Sequence, residues 1–143
     1  MGKPAKVVSK HSAGVAVLYG YSILLAKRCK NCPITGVEVS FPEYWSIFAG
    51  AMDPEECPKD CAVRELFEET EISIKPEDIN FISTKENAHG VLHVYCFNSD
   101  KLILPKLNFE HTQFGWFNIN RLHSFTDKID LQLMQLIVDH IHK

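Results

Sequence analysis

The 143-residue sequence is 45% apolar with a formal charge of −3, which places it among globular proteins with room for one domain over residues 1–143. That charge excludes a strongly basic, nucleic-acid-coating surface, although a small basic pocket does not show in the sum. Five cysteines, an odd number, weigh against a secreted disulfide framework.

The N-terminal MGKPAKVVSK lacks the apolar run of a signal peptide, and Lys6 stands where an N-myristoylation signal needs Ser or Thr. Residues 12–18 and 22–28 are aliphatic and β-branched around Gly20-Tyr21 and read as a hairpin. Lys27 and Arg28 end its second strand, where a cation can meet substrate phosphate or simply face solvent. Residues 33–44 hold two prolines and a glycine and predict a loop over one edge of the domain. Phe41, Tyr44 and Trp45 are candidates to stack a base there, with Trp45 better suited to the core. Residues 45–48 predict a short buried strand, 58–70 a helix, and 81–84, 91–97 and 114–117 further strands. Between residues 127 and 142, Ile129, Leu133, Leu136, Ile137, His140 and Ile141 recur at the spacing of a closing amphipathic helix. Strands that precede and follow helices predict an α/β sandwich. The apolar runs 14–18 and 22–26 are strand-sized and too short to span a bilayer, so a soluble cytoplasmic protein without membrane partners is the expectation.

The stretch from Gly50 to Ile72 carries the chemistry. Pro58 suits a first helical position because its missing N–H would be unpaired there anyway, and Asp60 adds negative charge where the helix dipole favours it. At 100° per residue Glu65, Glu68 and Glu69 share one sector, with Val63, Leu66 and Phe67 opposite. The expected helix therefore packs through the apolar face and presents three carboxylates on the other. Like charges at this spacing cost about 0.2–0.5 kcal/mol per pair. A solvated acidic face, offset by Arg64 through Glu68, is the bland alternative. A hard cation rewards the clustering, since Mg²⁺ binds through a few carboxylates and keeps positions for water and phosphate oxygens. Gly50 upstream allows the backbone to come close.

The segment resembles the Nudix box, G-x5-E-x7-R-E-U-x-E-E-x-G-U with U a bulky aliphatic residue. Gly50, Glu56, Arg64, Glu65, Leu66, Glu68, Glu69 and Ile72 occupy the expected places. At average residue usage, six such fixed positions match somewhere in a chain of this length with odds on the order of one in 10⁵. The flanking order of hairpin, loop, strand, box, strands and closing helix is also similar to the family. The family's last Gly is Glu71 here, and Glu55 and Cys57 replace the Gly and Ser common beside Glu56. Cys57 is a weak N-cap.

The resemblance implies a Nudix-type α/β/α sandwich with a central mixed sheet, the Nudix helix on one side and a C-terminal helix. It implies a MutT-type nucleotide pyrophosphatase or phosphohydrolase that uses Mg²⁺ or Mn²⁺. Glu68 and Glu69 would be metal ligands, Glu65 a ligand or the base, and Glu56 a neighbour of the same cluster. The Ala49 carbonyl could add a ligand, and Arg64 would orient the catalytic glutamate. Arg28, Lys27, Tyr44 and Glu110 are the candidate substrate contacts. Glu110, His111 and Asp100 are candidates for a further carboxylate or base from a later segment. The implied substrate is a nucleoside-diphosphate-linked small molecule. An NTP or modified NTP is favoured, with a dinucleoside polyphosphate, ADP-ribose or a nucleotide sugar next. Ala88 stands where ADP-ribose pyrophosphatases carry proline, and no tyrosine falls at the offset seen in dinucleoside-polyphosphate hydrolases, so specificity stays open. The expected partners exclude nucleic acid, an RNA 5′ end excepted, and the chain is expected as a monomer or homodimer. The alternatives are a catalytically weak Nudix-fold nucleotide-binding module and a four-thiolate zinc site at Cys29, Cys32, Cys57 and Cys61.

Overall fold

The computed structural model describes residues 10–39, 41–88 and 90–143. Residues 1–9, on which the expectation of no targeting signal rests, lie outside the described residues. β1 (Lys10–Tyr19) and β2 (Ser22–Arg28) form the expected hairpin, with Tyr19 opposite Ser22. β6 (Gly90–Asn98) runs parallel to β1 from Lys10↔Gly90 to Leu18↔Asn98, and β5 (Asn80–Asn87) pairs antiparallel on its far side. The single strand expected at 45–48 is divided. β3 (Trp45–Ser46) pairs with β2, whereas β4 (Phe48–Ala51) crosses to pair with β1, and Ile47 between them is buried. One short apolar run thereby serves two neighbours, which periodicity cannot reveal. β7 (His111–Asn118) also pairs with β2, giving a mixed seven-stranded sheet on the path β3-β2-β1-β6-β5. Two short 3-10 helices, Pro76–Asp78 and Ile119–Ser124, were not expected from the sequence.

Alternation along the strands builds two cores. Ala13, Val15, Val17, Leu24 and Ala26 face one way and pack with Phe48 against Cys61, Ala62 and Leu66 of α1 (Pro58–Thr70). Ala16, Leu18, Ile23 and Leu25 face the other way and meet Leu133, Met134 and Ile137 of α2 (Leu131–Ile141). Full burial of each large aliphatic side chain stabilises by about 1.5–3 kcal/mol. The result is the expected α/β/α sandwich. α2 begins later than the expected residue 127, because the Asp130 carboxylate accepts the Leu133 N–H at 3.1 Å and caps it. No described helix is long and apolar enough to cross a membrane.

α1 corrects one expectation. Phe67 is 50% exposed, whereas Glu69, assigned to the solvent face, is 1% exposed. The cause lies beyond the helix. Its last carbonyls need donors, and the segment before β7 supplies them: Lys106 N–H reaches Thr70 O at 3.0 Å and Asn108 N–H reaches Glu69 O at 3.2 Å. That tie closes the chain over Glu69.

The helix ends at Glu71 in a left-handed conformation (φ 60°, ψ 15°), its N–H donating to Phe67 O at 2.8 Å. Glu55 is also left-handed, at φ 66°. These are two of the positions where the Nudix box, which this segment resembles, commonly carries glycine. A residue with a Cβ costs about 1 kcal/mol there. The exposed pair between Glu71 and Lys106, 3.4 Å apart, is worth less than that at the surface. Glu71→Gly and Glu55→Gly are each expected to stabilise by about 1 kcal/mol, raising Tm by roughly 3 °C in thermal denaturation. A fall in Tm for both would contradict the strain argument.

Candidate active site and its buried acids

Arg64 organises the entrance to the site. Its Nε and Nη2 donate to both oxygens of Glu56 at 2.8 Å, Nη1 donates to Glu65 at 3.0 Å and to Glu68 at 2.5 Å, and Nη2 also reaches Ala51 O at 3.1 Å. The fork holds the Glu56 carboxyl down at about 2, helped by the Asp53 N–H. One guanidinium thus ties the loop before α1 to the helix. Cys57, at the N-cap, makes no side-chain cap bond.

Gly50 sits against the next acid. A Cβ there would lie inside the Glu65 carboxylate, so the absence of a side chain lets β4 touch the helix at its functional face. Burial and the neighbouring Glu68 charge raise the Glu65 carboxyl above its ordinary range. Glu69 is the extreme case. Burial, then the charges of Glu110 and Glu65, push its carboxyl up to about 10, and neither oxygen has a hydrogen-bond partner.

His111 faces this carboxylate from the start of β7. Burial, then the Arg28 charge, pushes its imidazole down to about 4, and its Nδ1 is also unpartnered. Nε2 lies 3.8 Å from Glu69 Oε1, which is beyond hydrogen-bond reach. Both groups are therefore driven neutral, and the contact is not an ion pair. Local bonds aim the segment: Glu110 N–H donates to Asn108 Oδ1 at 3.0 Å, and Cys29 N–H donates to Glu110 O at 2.9 Å. Ligand atoms of Glu69, Glu110 and His111 fall within 4.8 Å of one another.

Glu65 and Glu110, but not Glu69 or His111, line a cavity of about 640 Å³, within the size range of small-molecule sites. Ala49, Gly50 and Arg28 line it too, together with the aromatic Phe41, Tyr44, Trp45 and Phe109. Of the residues expected to bind substrate, Arg28, Tyr44 and Glu110 are in the lining. Lys27 is not; it pairs with Glu43 at 3.7 Å. Glu68 is exposed, accepts from Arg64 and is not in the lining. Asp100 lines a separate groove with Lys101 and Lys106.

The model of the NUDIX domain family matches residues 9–136. The chain belongs to the NUDIX domain family. Among solved structures, it resembles the NUDIX domain of Shewanella oneidensis NrtR complexed with ADP ribose (16% identity, 96% of this chain and 91% of that one, TM-score 0.72). It also resembles a MutT protein from Methanosarcina mazei Go1 (20% identity, 93% and 92%, TM-score 0.67). A MutT/nudix family protein from Enterococcus faecalis matches at 18% identity over 82% of this chain (TM-score 0.67). The chain spans about half of that protein, 47% of its length. No curated protein sequence matches. The NUDIX domain and its MutT-type neighbours support the hydrolase expected from the sequence.

The NUDIX site fits a divalent cation on its own chemistry. Its donors are hard carboxylate oxygens, two of them buried and unpartnered on Glu69, with a neutral imidazole beside them. The cysteines give no such site. Among the described residues, no grouping of three or more ligand side chains other than Glu69, Glu110 and His111 converges, which removes the four-thiolate zinc reading. Cys61 instead packs beneath the box, its thiol donating to Gly50 O at 3.5 Å and pushed up to about 12 by burial.

The shifts have a sign that can be measured without substrate. Above about pH 6.5 the folded His111 is neutral, and the unfolded one sheds its remaining proton fraction by about pH 8, a contribution shared by the native chain and Glu69→Gln. There the folded, metal-free protein holds a proton on Glu69 that the unfolded chain has released, so stability falls as pH rises towards about 10. Between pH 6.5 and 8, in EDTA, Tm is expected to drop for the native chain and to drop less for Glu69→Gln. An equal slope for both would show that Glu69 ionises freely.

Proposed function

We propose that this chain hydrolyses a phosphoanhydride bond in a nucleoside-diphosphate-linked substrate, using Mg²⁺ or Mn²⁺. The observation that carries the reading is the pair of buried, unpartnered Glu69 oxygens grouped with Glu110 and His111 and close to Glu65, where Glu65 and Glu110 also line a cavity of small-molecule size. An uncompensated buried acid is costly, and a divalent cation is the partner that this donor set lacks. A NUDIX neighbour that holds ADP ribose supports a nucleotide ligand.

In this reading Glu65, Glu68 and Glu69 hold the cation, with Glu56 and the Ala49 carbonyl adjacent. When bound, such a cation withdraws charge from phosphorus and lowers the pKa of water. Arg64 fixes the acids through its fork, a positioning role. Glu65 serves as ligand or as the base that takes the proton of the attacking water. Arg28 faces the substrate phosphates, and Tyr44 lies along the substrate. Water adds to one phosphorus and the bridging oxygen departs with the other, so two phosphate-bearing products form.

Phosphate release would be measured on NTPs, oxidised NTPs, ADP-ribose, diadenosine polyphosphates, nucleotide sugars and capped RNA, each with Mg²⁺, Mn²⁺ or EDTA. Turnover is expected only with metal, and Glu69→Gln should lower it by about two orders of magnitude or more. Arg64→Lys replaces a fork by a point charge and should lower it by about 10–100-fold. Absence of turnover on the whole panel would leave a nucleotide-binding module.

A further inference from the structure

His111 reaches the buried acid through an irregularity in the sheet. Along β7, Trp116 and Phe114 pair with Leu24 and Ala26, whose side chains face α1. Simple alternation would give the next such position to Thr112. Instead Arg28 pairs with His111, because the register slips between Lys27 and Arg28 and leaves Thr112 over. A bulge of this kind re-aims a side chain, and bulges gather near functional sites. The re-aimed ring packs edge-on with Phe48, centroids 5.3 Å apart, and is 6% exposed. Its Nδ1 has no hydrogen-bond partner, and its Nε2 stops 3.8 Å from Oε1 of Glu69. A buried unpaired polar group is costly, a cost that an apolar residue at this position would avoid. Two ligands of one ion, each bonded at about 2.0–2.2 Å, stand about 3–4.4 Å apart. The His111–Glu69 separation falls in that range, and Glu110 brings a third ligand atom within 4.8 Å of the other two.

We propose that His111 is a nitrogen ligand of the cation site, beside Glu69 and Glu110, and biases it towards first-row transition dications over Mg²⁺. This rests on reading the site as a divalent-cation site that serves hydrolysis. Mg²⁺ takes hard oxygen ligands and gives up its water reluctantly, so an imidazole adds little to its binding. Mn²⁺ and, more strongly, Co²⁺ accept an imidazole nitrogen, with affinity rising from the first to the second. An all-oxygen set drawn from the box acids discriminates less.

Metal binding is measured on the full chain without substrate, in a His11→Gln background. That change removes the exposed His11–His93 pair, 2.9 Å apart, as a competing nitrogen site. Electron spin-echo spectroscopy of bound Mn²⁺ is expected to show a nitrogen modulation that shifts when histidine alone carries the heavier nitrogen isotope. The same modulation should vanish in His111→Gln; the labelling itself needs no change to the ring and reports even where that variant misfolds. Calorimetry should rank Co²⁺ above Mn²⁺ and Mn²⁺ above Mg²⁺. Folded His111→Gln should bind Co²⁺ about tenfold or more weakly, the loss that even a ligand's outer partner causes. Its Mg²⁺ affinity should change by less than about threefold. Bound Mn²⁺ without histidine modulation, modulation that persists in His111→Gln, or equal loss of Co²⁺ and Mg²⁺ in the folded variant would overturn the inference and leave a metal-dependent hydrolase standing. Histidine-coupled metal without turnover of any nucleotide would uphold the ligand and overturn the hydrolase. No metal binding by the chain would overturn both.

Discussion

One guanidinium holds the acidic site together. Arg64 engages Glu56, Glu65, Glu68 and the Ala51 carbonyl at once, so three carboxylates that repel along a helix face and its approach loop share one counter-charge. The arrangement is half-buried, where such pairs are less screened than at the surface. Glu69 is the acid that Arg64 does not serve. It lies on the far side of Glu65, beneath Asn108 and His111, and in the absence of a cation its only inexpensive state is neutral. The helix therefore divides its acids into a set balanced by Arg64 and one held in reserve.

That division depends on backbone more than on side chains. The 106–108 segment satisfies the last carbonyls of α1 and in doing so lays Glu110 and His111 over Glu69. Trp116 pins the preceding loop by donating from its indole to Ile103 O at 2.8 Å. At the other end of the box, Asp53 and Glu56 bond to each other through two backbone donors, which presents the Glu56 carboxylate to Arg64. The left-handed Glu55 and Glu71 flank this helix, a small strain that larger contacts over-determine.

Much of this was legible in the residues, for reasons that differ by element. The α1 helix and the acid spacing follow from local geometry, and Gly50, Glu56 and Arg64 sit at offsets that one helix and its approach loop fix. The hairpin follows from its turn. By contrast, the burial of Glu69 was misread because periodicity sees one helix and not the segment that lies across it. Phe67 was misassigned to the core for the same reason. Trp45 combined both readings, packing at 5.4 Å against Phe117 while lining the cavity. Lys85, Asp130, Phe109 and Cys29 meet in one cavity through strand pairings and loops far apart in sequence, and no local pattern announces such convergence.

The cavity lining also explains why composition was a weak guide to the ligand. A net charge of −3 would argue against an anionic partner if it were spread evenly. Here it is not. The Glu65 and Glu110 carboxylates line the cavity close to the buried Glu69, while Arg28 and the Lys85–Asp130 pair line the same hollow. A polyphosphate brought to carboxylates alone would be repelled by several unit charges at short range. A cation between them reverses that sign, so the same acids that exclude a bare anion admit one together with metal.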